Sequence, residues 1–365
     1  MKVVLILMLA MGDAPGAEPA CRALLLESFP RLDSDSSGSL SLEEMDKALA
    51  DPSLKGSHAA AVAALRRAAR AKLKPLPAPV TREAIAKPDP DNAGAKLESH
   101  YASALKRIRE TPRDLFTNRA PSLTDIHQGR VGDCFCLAPL GGWVHRDGDS
   151  VRALFRARDG QVEVHACGRW IAVPALTDGE IAILATTTGG GTWINYYEKA
   201  MGLARQQADT KKSASPVAAI NRGGSAGTAM QALTGSETIR FSCSPFRQTA
   251  LKPERSGMLL DELRIRLAHN KASRQLACAG TGTTGVKVPG ILGNHAYAVL
   301  DYDPMADRVT IWNPHGNSFT PKGKPGITTG YPTKNGVFSM STAEAVVVFT
   351  GFSFETGSPA GPTRP

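Results

Sequence analysis

The sequence predicts an α+β fold, and three stretches of the chain carry that prediction. A glycine-containing turn at residues 128–133 leads into an apolar segment that begins with Cys134, which is typical of a helix start. Two apolar runs, Ala296–Leu300 and Val309–Trp312, flank a turn that contains Asp and Pro, which indicates two adjacent β-strands. Residues 23–49 place apolar side chains at helical spacing on both sides of a polar loop. Helices and strands therefore occupy separate parts of the chain, as in the α+β class.

Cys134 stands where a thiol is positioned to react. The first turn of a helix leaves backbone N–H groups unpaired and carries a partial positive charge, which favours the thiolate. Gly129 and Gly132 supply the flexible backbone that the preceding turn requires. Gln128 lies six residues before the cysteine, so we expect its side-chain amide and the Cys134 N–H to bind a developing oxyanion together. The segment therefore predicts a nucleophile and its oxyanion hole.

A thiol nucleophile needs a base, and the base needs an orienting partner. His295 heads the first of the two apolar runs, and Asn313 follows the second. If the runs pair as a hairpin, both residues fall near the same end of it, and the Asn313 amide holds the imidazole. We expect Trp312 or another nearby aromatic residue to shield that contact from water. The predicted catalytic set is Cys134, His295 and Asn313, with Gln128 assisting.

The order Cys, His, Asn and the residues around it resemble the catalytic core of calpain-type cysteine proteases, which are papain-like. The motifs are Gln-Gly-x-x-Gly-Asp-Cys, Asn-His-Ala-Tyr and Asn-Pro-x-Gly. Further similarity lies at residues 193–200, at residues 232–235, and at residues 336–341 followed by Phe349. The resemblance covers roughly residues 113–355. It implies a two-subdomain core, with the cysteine on a helical subdomain and the histidine and asparagine on a β-rich one.

The resemblance also implies an activity, the hydrolysis of peptide bonds in a protein or peptide substrate bound in the cleft between the subdomains. The thiolate attacks the peptide carbonyl, the histidine protonates the leaving amine, and water that the histidine activates hydrolyses the acyl-enzyme. Two alternatives stay open. One is a catalytically inactive calpain fold that binds a partner in a calcium-dependent way, and the other is acyl transfer to an amine.

Three residues depart from the family's pattern. Phe135 and His315 stand where the family usually has tryptophan, at wall positions that affect substrate fit and hydrophobic shielding. Pro139 lies inside the helix predicted to carry Cys134. Because a proline inside a helix removes a hydrogen bond, we expect that helix to be kinked or shortened there.

The segment Asp33–Glu44 fits every constrained position of a twelve-residue EF-hand calcium loop. Gly38 occupies the position of the sharp turn, and Leu40 is the apolar residue through which such loops pair in a β-ladder. Serine at three ligand positions lowers the ligand charge, so we expect weaker calcium affinity than in an all-acidic loop. The predicted Ca2+ ligands are Asp33, Asp35, Ser37, the Ser39 carbonyl, Ser41 and Glu44.

EF-hand loops normally work in pairs, and the candidate partner is Asp89–Gly94. This stretch lacks the apolar residue and the final glutamate of a calcium loop, so we interpret it as a degenerate loop or a linker. Asp125 matches an acidic position that the calpain family uses for calcium in its core, although a capping aspartate is an equal alternative. The loop and the resemblance together suggest a protease regulated by Ca2+.

Changes in composition suggest how the 365 residues are divided. Residues 51–113 hold 13 Lys and Arg against 6 Asp and Glu, so most of the net charge of +9 lies there. A proline-rich run at residues 74–79 favours an extended linker within this stretch. We expect a candidate signal peptide at 1–17, an EF-hand module at 18–50, a basic, Pro/Ala-rich linker at 51–112, a calpain-like catalytic domain at 113–355 and a flexible tail at 356–365.

The partners expected are a protein or peptide substrate and no nucleic acid. The basic stretch lacks the interleaved aromatic residues of a nucleic-acid-binding module. The apolar stretch at residues 3–11 is too short to span a membrane but fits a secretory signal, with an N-terminal helix packed on the EF-hand as the alternative. A signal peptide implies a secreted or periplasmic protein, and the alternative, a packed helix, implies a cytoplasmic one.

Overall fold

The computed structural model describes part of the chain, and the candidate signal peptide, the stretch Asp89–Gly94 and most of the tail lie outside that part. Helix accounts for 45% and strand for 19%, so the predicted α+β class is confirmed. Within the described residues, no helix combines the length and the apolar character that crossing a membrane requires. The described residues are 20–71, 75–87, 96–209, 213–248, 252–283 and 286–357.

The helices and strands are labelled in chain order. The helices are α1 (Cys21–Leu32), α2 (Leu42–Leu49), α3 (Gly56–Ala69), α4 (Arg82–Ala86), α5 (Leu97–Glu110), α6 (Cys134–Arg146), α7 (Asp178–Ile183), α8 (Trp193–Ala208), α9 (Pro216–Ile220), α10 (Ala226–Thr234), α11 (Pro253–Ala272) and α12 (Thr342–Val348). The strands are β1 (Ser39–Leu40), β2 (Val80–Thr81), β3 (Ile126–His127), β4 (Phe155–Arg158), β5 (Gln161–Ala166), β6 (Arg169–Val173), β7 (Thr186–Thr187), β8 (Thr238–Ser242), β9 (Ala277–Gly280), β10 (Ala296–Asp303), β11 (Arg308–Trp312), β12 (Val337–Ser341) and β13 (Gly351–Glu355).

The N-terminal part consists of helices around two short paired loops. Strand β1 lies in the loop between α1 and α2, and it pairs antiparallel with β2, which leads into α4. The predicted calcium loop thus pairs with Val80 and Thr81, which directly follow the proline-rich run. The sequence did not predict this pairing. Leu40 and Val80 are 1% and 0% exposed, so the pairing of β1 with β2 buries apolar side chains and does not involve the acidic ligands of the calcium loop.

The expectation of a linker at residues 51–112 needs correction. Helices α3 and α5 within it pack against each other, and α3 also packs against α1, α2 and α7. The alanine side chains at residues 59–64 are almost completely buried, because small side chains allow neighbouring helices to approach closely. Arg66 points inward and forms an ion pair with the buried Asp46 of α2. Helices α3 and α5 of this stretch are part of the folded core rather than a solvated connection.

A six-stranded antiparallel sheet, in the order β12-β11-β10-β9-β13-β8, forms the second half of the molecule. Side chains along β10 alternate between its two faces. Ala296 and Ala298 belong to the core shared with α6 and the N-terminal helices, whereas Tyr297 and Val299 belong to a second core that includes residues of α11 and α12. The small residues on the first face allow α6 to lie close to the sheet.

The hairpin predicted for the two apolar runs is confirmed. Strand β10 pairs antiparallel with β11, and Ala298 lies opposite Trp312. His295 directly precedes β10 and Asn313 directly follows β11, so both residues lie at the same end of the hairpin. Helix α6 continues through Pro139 to Arg146, so the proline does not shorten it.

Candidate active site

Cys134 is the first residue of α6, and its thiol lies beside the sheet. The thiol lies near the backbone N–H of Ala296, the residue after His295, and this N–H favours the charged form of the thiol. Burial raises the pKa of Cys134 to about 11, with a further increase from the Asp133 carboxyl, and the N–H groups of Ala296 and Phe135 lower it only in part. The expectation that the helix start favours the thiolate therefore needs correction, because desolvation outweighs it. The nucleophile depends on a base to remove its proton.

His295 and Asn313 lie together, as the sequence predicts. The distance from His295 Nε2 to Asn313 Oδ1 is 2.8 Å, and the two residues are 8% and 1% exposed. An amide oxygen only accepts hydrogen bonds, so the imidazole Nε2–H is the donor and the basic lone pair belongs to Nδ1. The Asn313 amide is held in turn, because its Nδ2 donates to Asn317 Oδ1 at 2.7 Å. The arrangement is that of an oriented general base.

Two contacts join the cysteine segment to the asparagine segment. Gly141 of α6 lies against the Trp312 indole so closely that an added Cβ would be 2.1 Å from its Cζ3 atom. The Gln128 backbone N–H donates to the Pro314 carbonyl at 2.8 Å. The close approach at Gly141 sets the distance between α6 and the end of β11. The sequence does not predict this role of Gly141, because the pattern around a helical glycine does not indicate which residue it contacts.

The Gln128 side chain lies in the loop that precedes Cys134 (residues 128–133, the cysteine loop) but does not have the orientation expected for it. Its Nε2 donates to the Val131 carbonyl at 2.9 Å and to Asp133 Oδ1 at 3.0 Å. Both amide hydrogens are therefore engaged within the loop, and the amide has to turn before it can donate to an oxyanion.

Two buried carboxyl groups behind Cys134 form a pair that the sequence analysis missed. Asp133 and Glu198 are both 0% exposed. Burial raises the pKa of both groups, and that of Glu198, next to the Asp133 charge, lies well above its usual value. Burial and the Asp133 charge thus favour the protonated form of Glu198, and the Ala185 N–H donates to both Glu198 oxygens at 2.9 Å. The sequence features that could have indicated this pair are the Asp next to Cys134 and the Glu within the segment at residues 193–200.

Two aromatic rings contact the imidazole of His295, as expected for Trp312 or another nearby aromatic residue. His315 stacks on it with ring centroids 5.1 Å apart and an angle of 10° between the planes. Tyr297 meets it edge-on, with centroids 5.0 Å apart. Trp312 is itself completely buried, against Gly141. His315 and Tyr297 thus cover the imidazole of His295, one by stacking and one edge-on.

The predicted calcium ligands also lie close together. Oxygen atoms of Asp33, Asp35 and Glu44 all lie within 4.8 Å of one another. Glu44 accepts hydrogen bonds from the Ser34 and Ser41 N–H groups at 2.8 and 2.9 Å. These bonds hold the pKa of the Glu44 carboxyl below its usual value although burial opposes them. A cluster of carboxylate oxygens is the donor set that Ca2+ prefers, so the residues fit that ion.

The serine positions of the loop surround this cluster. The Ser37 hydroxyl donates to the Ser39 carbonyl at 3.0 Å, and Ser41 caps α2. Gly38 adopts a φ of 78°, as the predicted turn requires. Asp125, the second acidic candidate, forms an ion pair with Arg119.

Comparison with models of known protein families gives no match, and comparison with curated proteins gives none either. The function therefore has to be inferred from the site itself.

Proposed function

We propose that this protein is a calpain-like, papain-fold cysteine endopeptidase that hydrolyses peptide bonds through Cys134, His295 and Asn313. The observation that carries the proposal is the 2.8 Å contact between His295 Nε2 and Asn313 Oδ1, with the Cys134 thiol beside the adjacent Ala296 N–H. The position of the cysteine on a helix and of the other two residues at one end of a sheet supports the two-subdomain, papain-like architecture.

Each side chain has a defined role in the reaction. His295 Nδ1 accepts the Cys134 proton, which offsets the high pKa that burial imposes on the thiol, and the thiolate attacks the peptide carbonyl. His295 then protonates the leaving amine and activates the water that hydrolyses the acyl-enzyme. Asn313 holds the ring in one tautomer throughout. The Cys134 N–H and a turned Gln128 amide stabilise the oxyanion.

We also propose that Ca2+ binds to the Asp33–Glu44 loop and regulates the enzyme. Asp33, Asp35 and Glu44 would hold the ion, which would supply positive charge to their carboxylate oxygens. Glu44 lies in the first turn of α2, the helix that ends at Leu49.

Helix α7 contacts both α2 and the loop before Cys134, and these contacts support such regulation. Thr177, which caps α7, donates its hydroxyl to the Leu49 carbonyl at 2.5 Å. At the other end of α7, the Ile183 carbonyl accepts the Arg130 N–H at 2.6 Å, and Arg130 lies in the cysteine loop. A shift of α2 thus reaches the loop before Cys134 through a single short helix.

Casein hydrolysis tests both proposals. Wild type, Cys134→Ala and the matched control Cys136→Ala are each assayed with excess Ca2+ and with a calcium chelator. We expect hydrolysis by wild type and Cys136→Ala with Ca2+, and none by Cys134→Ala. Equal activity in the chelator would reduce the calcium loop to a structural or targeting role.

The raised pKa of Cys134 is the observation that favours the alternative, a catalytically inactive calpain fold that binds a partner. Labelling with an irreversible epoxide inhibitor distinguishes the two. A protease is labelled at Cys134 and loses its activity, whereas an inert thiol together with no hydrolysis under any condition would favour the binding protein.

A further inference from the structure

His315 and His295 form a stacked pair of imidazoles at the candidate active site. Their rings are nearly parallel, at 10°, with centroids 5.1 Å apart. The backbone N–H of His315 donates to Asn313 Oδ1 at 3.1 Å, the same oxygen that lies 2.8 Å from His295 Nε2. One side-chain oxygen thus anchors both histidines.

The turn that carries His315 is held on its other side as well. The Gly316 N–H donates to the Asn313 carbonyl at 2.9 Å, and Gly316 has a φ of 63°. An added Cβ at Gly316 would be 2.5 Å from the Nδ1 atom of His127 in β3. The turn is therefore fixed between β3 and the hairpin, and the His315 ring has a defined place over His295.

The stacking matters because His295 has to carry a positive charge during the reaction. A proton on His295 is stabilised by the thiolate that it leaves behind, and the electron-rich face of an aromatic ring adds to this. An imidazole is a weaker donor of this kind than an indole, and it also takes up protons near neutral pH itself. Two stacked imidazoles therefore compete for one proton, and each lowers the proton affinity of the other.

The titratable groups that contact the pair come from several elements. Tyr297 of β10 meets His295 edge-on, and Cys134 of α6 lies beside the Ala296 N–H. His127 of β3 packs against the turn after His315. Asn313 and Asn317 supply neutral amides. The effect of His315 on His295 is thus direct, from ring to ring.

We propose that His315 is a positioning residue that acts through His295: it covers the base and, by competing for its proton, sets the acid limit of the activity. This inference rests on the proposed protease function and gives it a property of its own, a working range that extends to lower pH than a tryptophan at this position would allow.

The variant His315→Trp tests the inference, because it keeps an aromatic ring over His295 and removes the second proton site. Residue 315 is exposed, so the substitution leaves the fold intact, and His315→Phe serves as a second neutral ring. His165→Gln is the control, since that imidazole meets Trp170 edge-on in another part of the molecule. Peptide hydrolysis with excess Ca2+ is measured as a function of pH for all four proteins.

Because the base has to be unprotonated to act, we expect the acid limb of kcat/KM to move up by about half a pH unit or more in His315→Trp and to stay in place in His165→Gln. NMR titration of the imidazole protons gives a readout that does not depend on hydrolysis. The midpoint of His295 should rise in His315→Trp, and the midpoint of His315 should rise by a similar amount in His295→Gln, since coupling is reciprocal.

Two failures are distinguishable. Hydrolysis absent from wild type and all variants at every pH would overturn the proposed protease. An unchanged His295 midpoint in both His315→Trp and His315→Phe would overturn the present inference, whatever the hydrolysis assay gives.

Discussion

The calcium loop and the Cys134 site are built in opposite ways. The loop is one run of twelve residues, and its carboxylates are held by hydrogen bonds from within that run, as between Asp33 and the Ser37 and Gly38 N–H groups at 2.9 and 2.8 Å. The Cys134 site combines three segments that are far apart in the chain. The comparison shows that a local site depends on its own sequence, whereas a long-range site depends on the packing that brings its parts together.

That packing is specific at a few points. Gly141 against Trp312, and the Gln128 N–H against the Pro314 carbonyl, join the cysteine side to the asparagine side. A catalytic constellation tolerates displacements of only about half an ångström, so changes at these points affect activity more than their distance from the thiol suggests. In the described residues, the distant partner of the calcium loop is β2, which pairs with β1 through the buried Leu40 and Val80 and not through the acidic ligands.

The largest effect is expected at the base itself. His295→Ala removes the group that accepts the Cys134 proton, so casein hydrolysis should fall by about 10²- to 10⁴-fold. His165→Ala, the removal of a histidine that contacts Trp170, should leave the rate unchanged. Calcium binding, followed by calorimetry, should be equal in both variants. Full activity of His295→Ala would contradict the assigned base.

The next effect tests the packing of α6 on the sheet with two neighbouring glycines. At Gly141 a Cβ would be 2.1 Å from the Trp312 ring, whereas at Gly142 it would be an ordinary 3.5 Å from Leu276. Gly141→Ala should cost about 2–3 kcal/mol of the free energy of unfolding and lower the rate, because Trp312 and with it Asn313 must move.

Gly142→Ala should be neutral or stabilising by up to about 1 kcal/mol, since alanine is the better helix former. Urea denaturation and casein hydrolysis measure both variants. Equal effects of the two substitutions would contradict the role given to the contact between Gly141 and Trp312.

A smaller, pH-dependent effect is expected at Glu198. Its pKa is raised by burial and the Asp133 charge, so the stability from its retained proton is complete below the unfolded-state pKa and is lost as pH rises towards the folded-state pKa. Glu198→Gln keeps a donor for Asp133 and an acceptor for the Ala185 N–H without titrating. Wild type should therefore lose stability relative to Glu198→Gln by up to about 1.4 kcal/mol per pH unit above pH ~4.5.

Urea denaturation from pH 4.5 to 8 checks this expectation. Glu262→Gln, at an exposed position on α11, is the control and should follow wild type. Parallel pH curves for wild type and Glu198→Gln would show that Glu198 does not retain its proton.

The smallest effect on the fold is expected in the calcium loop. Glu44→Gln removes one carboxylate from the cluster, so calcium affinity should fall at least about tenfold, while the stability of the ion-free protein should change by about 1 kcal/mol or less. Glu43→Gln changes the neighbouring exposed carboxylate, which pairs with Lys47, and should bind calcium as wild type does. Calorimetry measures the affinity, and equal binding by the two variants would contradict the assigned ligands.

Sequence reasoning succeeded where an element is defined by its neighbours in the chain. The hairpin of β10 and β11, the helix start at Cys134 and the turn at Gly38 all follow from short patterns, and each is present. It failed at residues 51–112, where an alanine-rich basic pattern suggested a linker. The burial of α3 depends on its packing against helices from other parts of the chain. Local composition does not specify that packing.

The sequence by itself determined the α+β class, the residues of the acidic loop and the order of the Cys, His and Asn segments, because these follow from spacing along one chain. Only the tertiary structure decided that Leu40 pairs with Val80, that His315 covers His295, and that burial beside Asp133 raises the pKa of Glu198. Each of these depends on the distance between groups remote in sequence and on their removal from water. Packing alone sets both quantities.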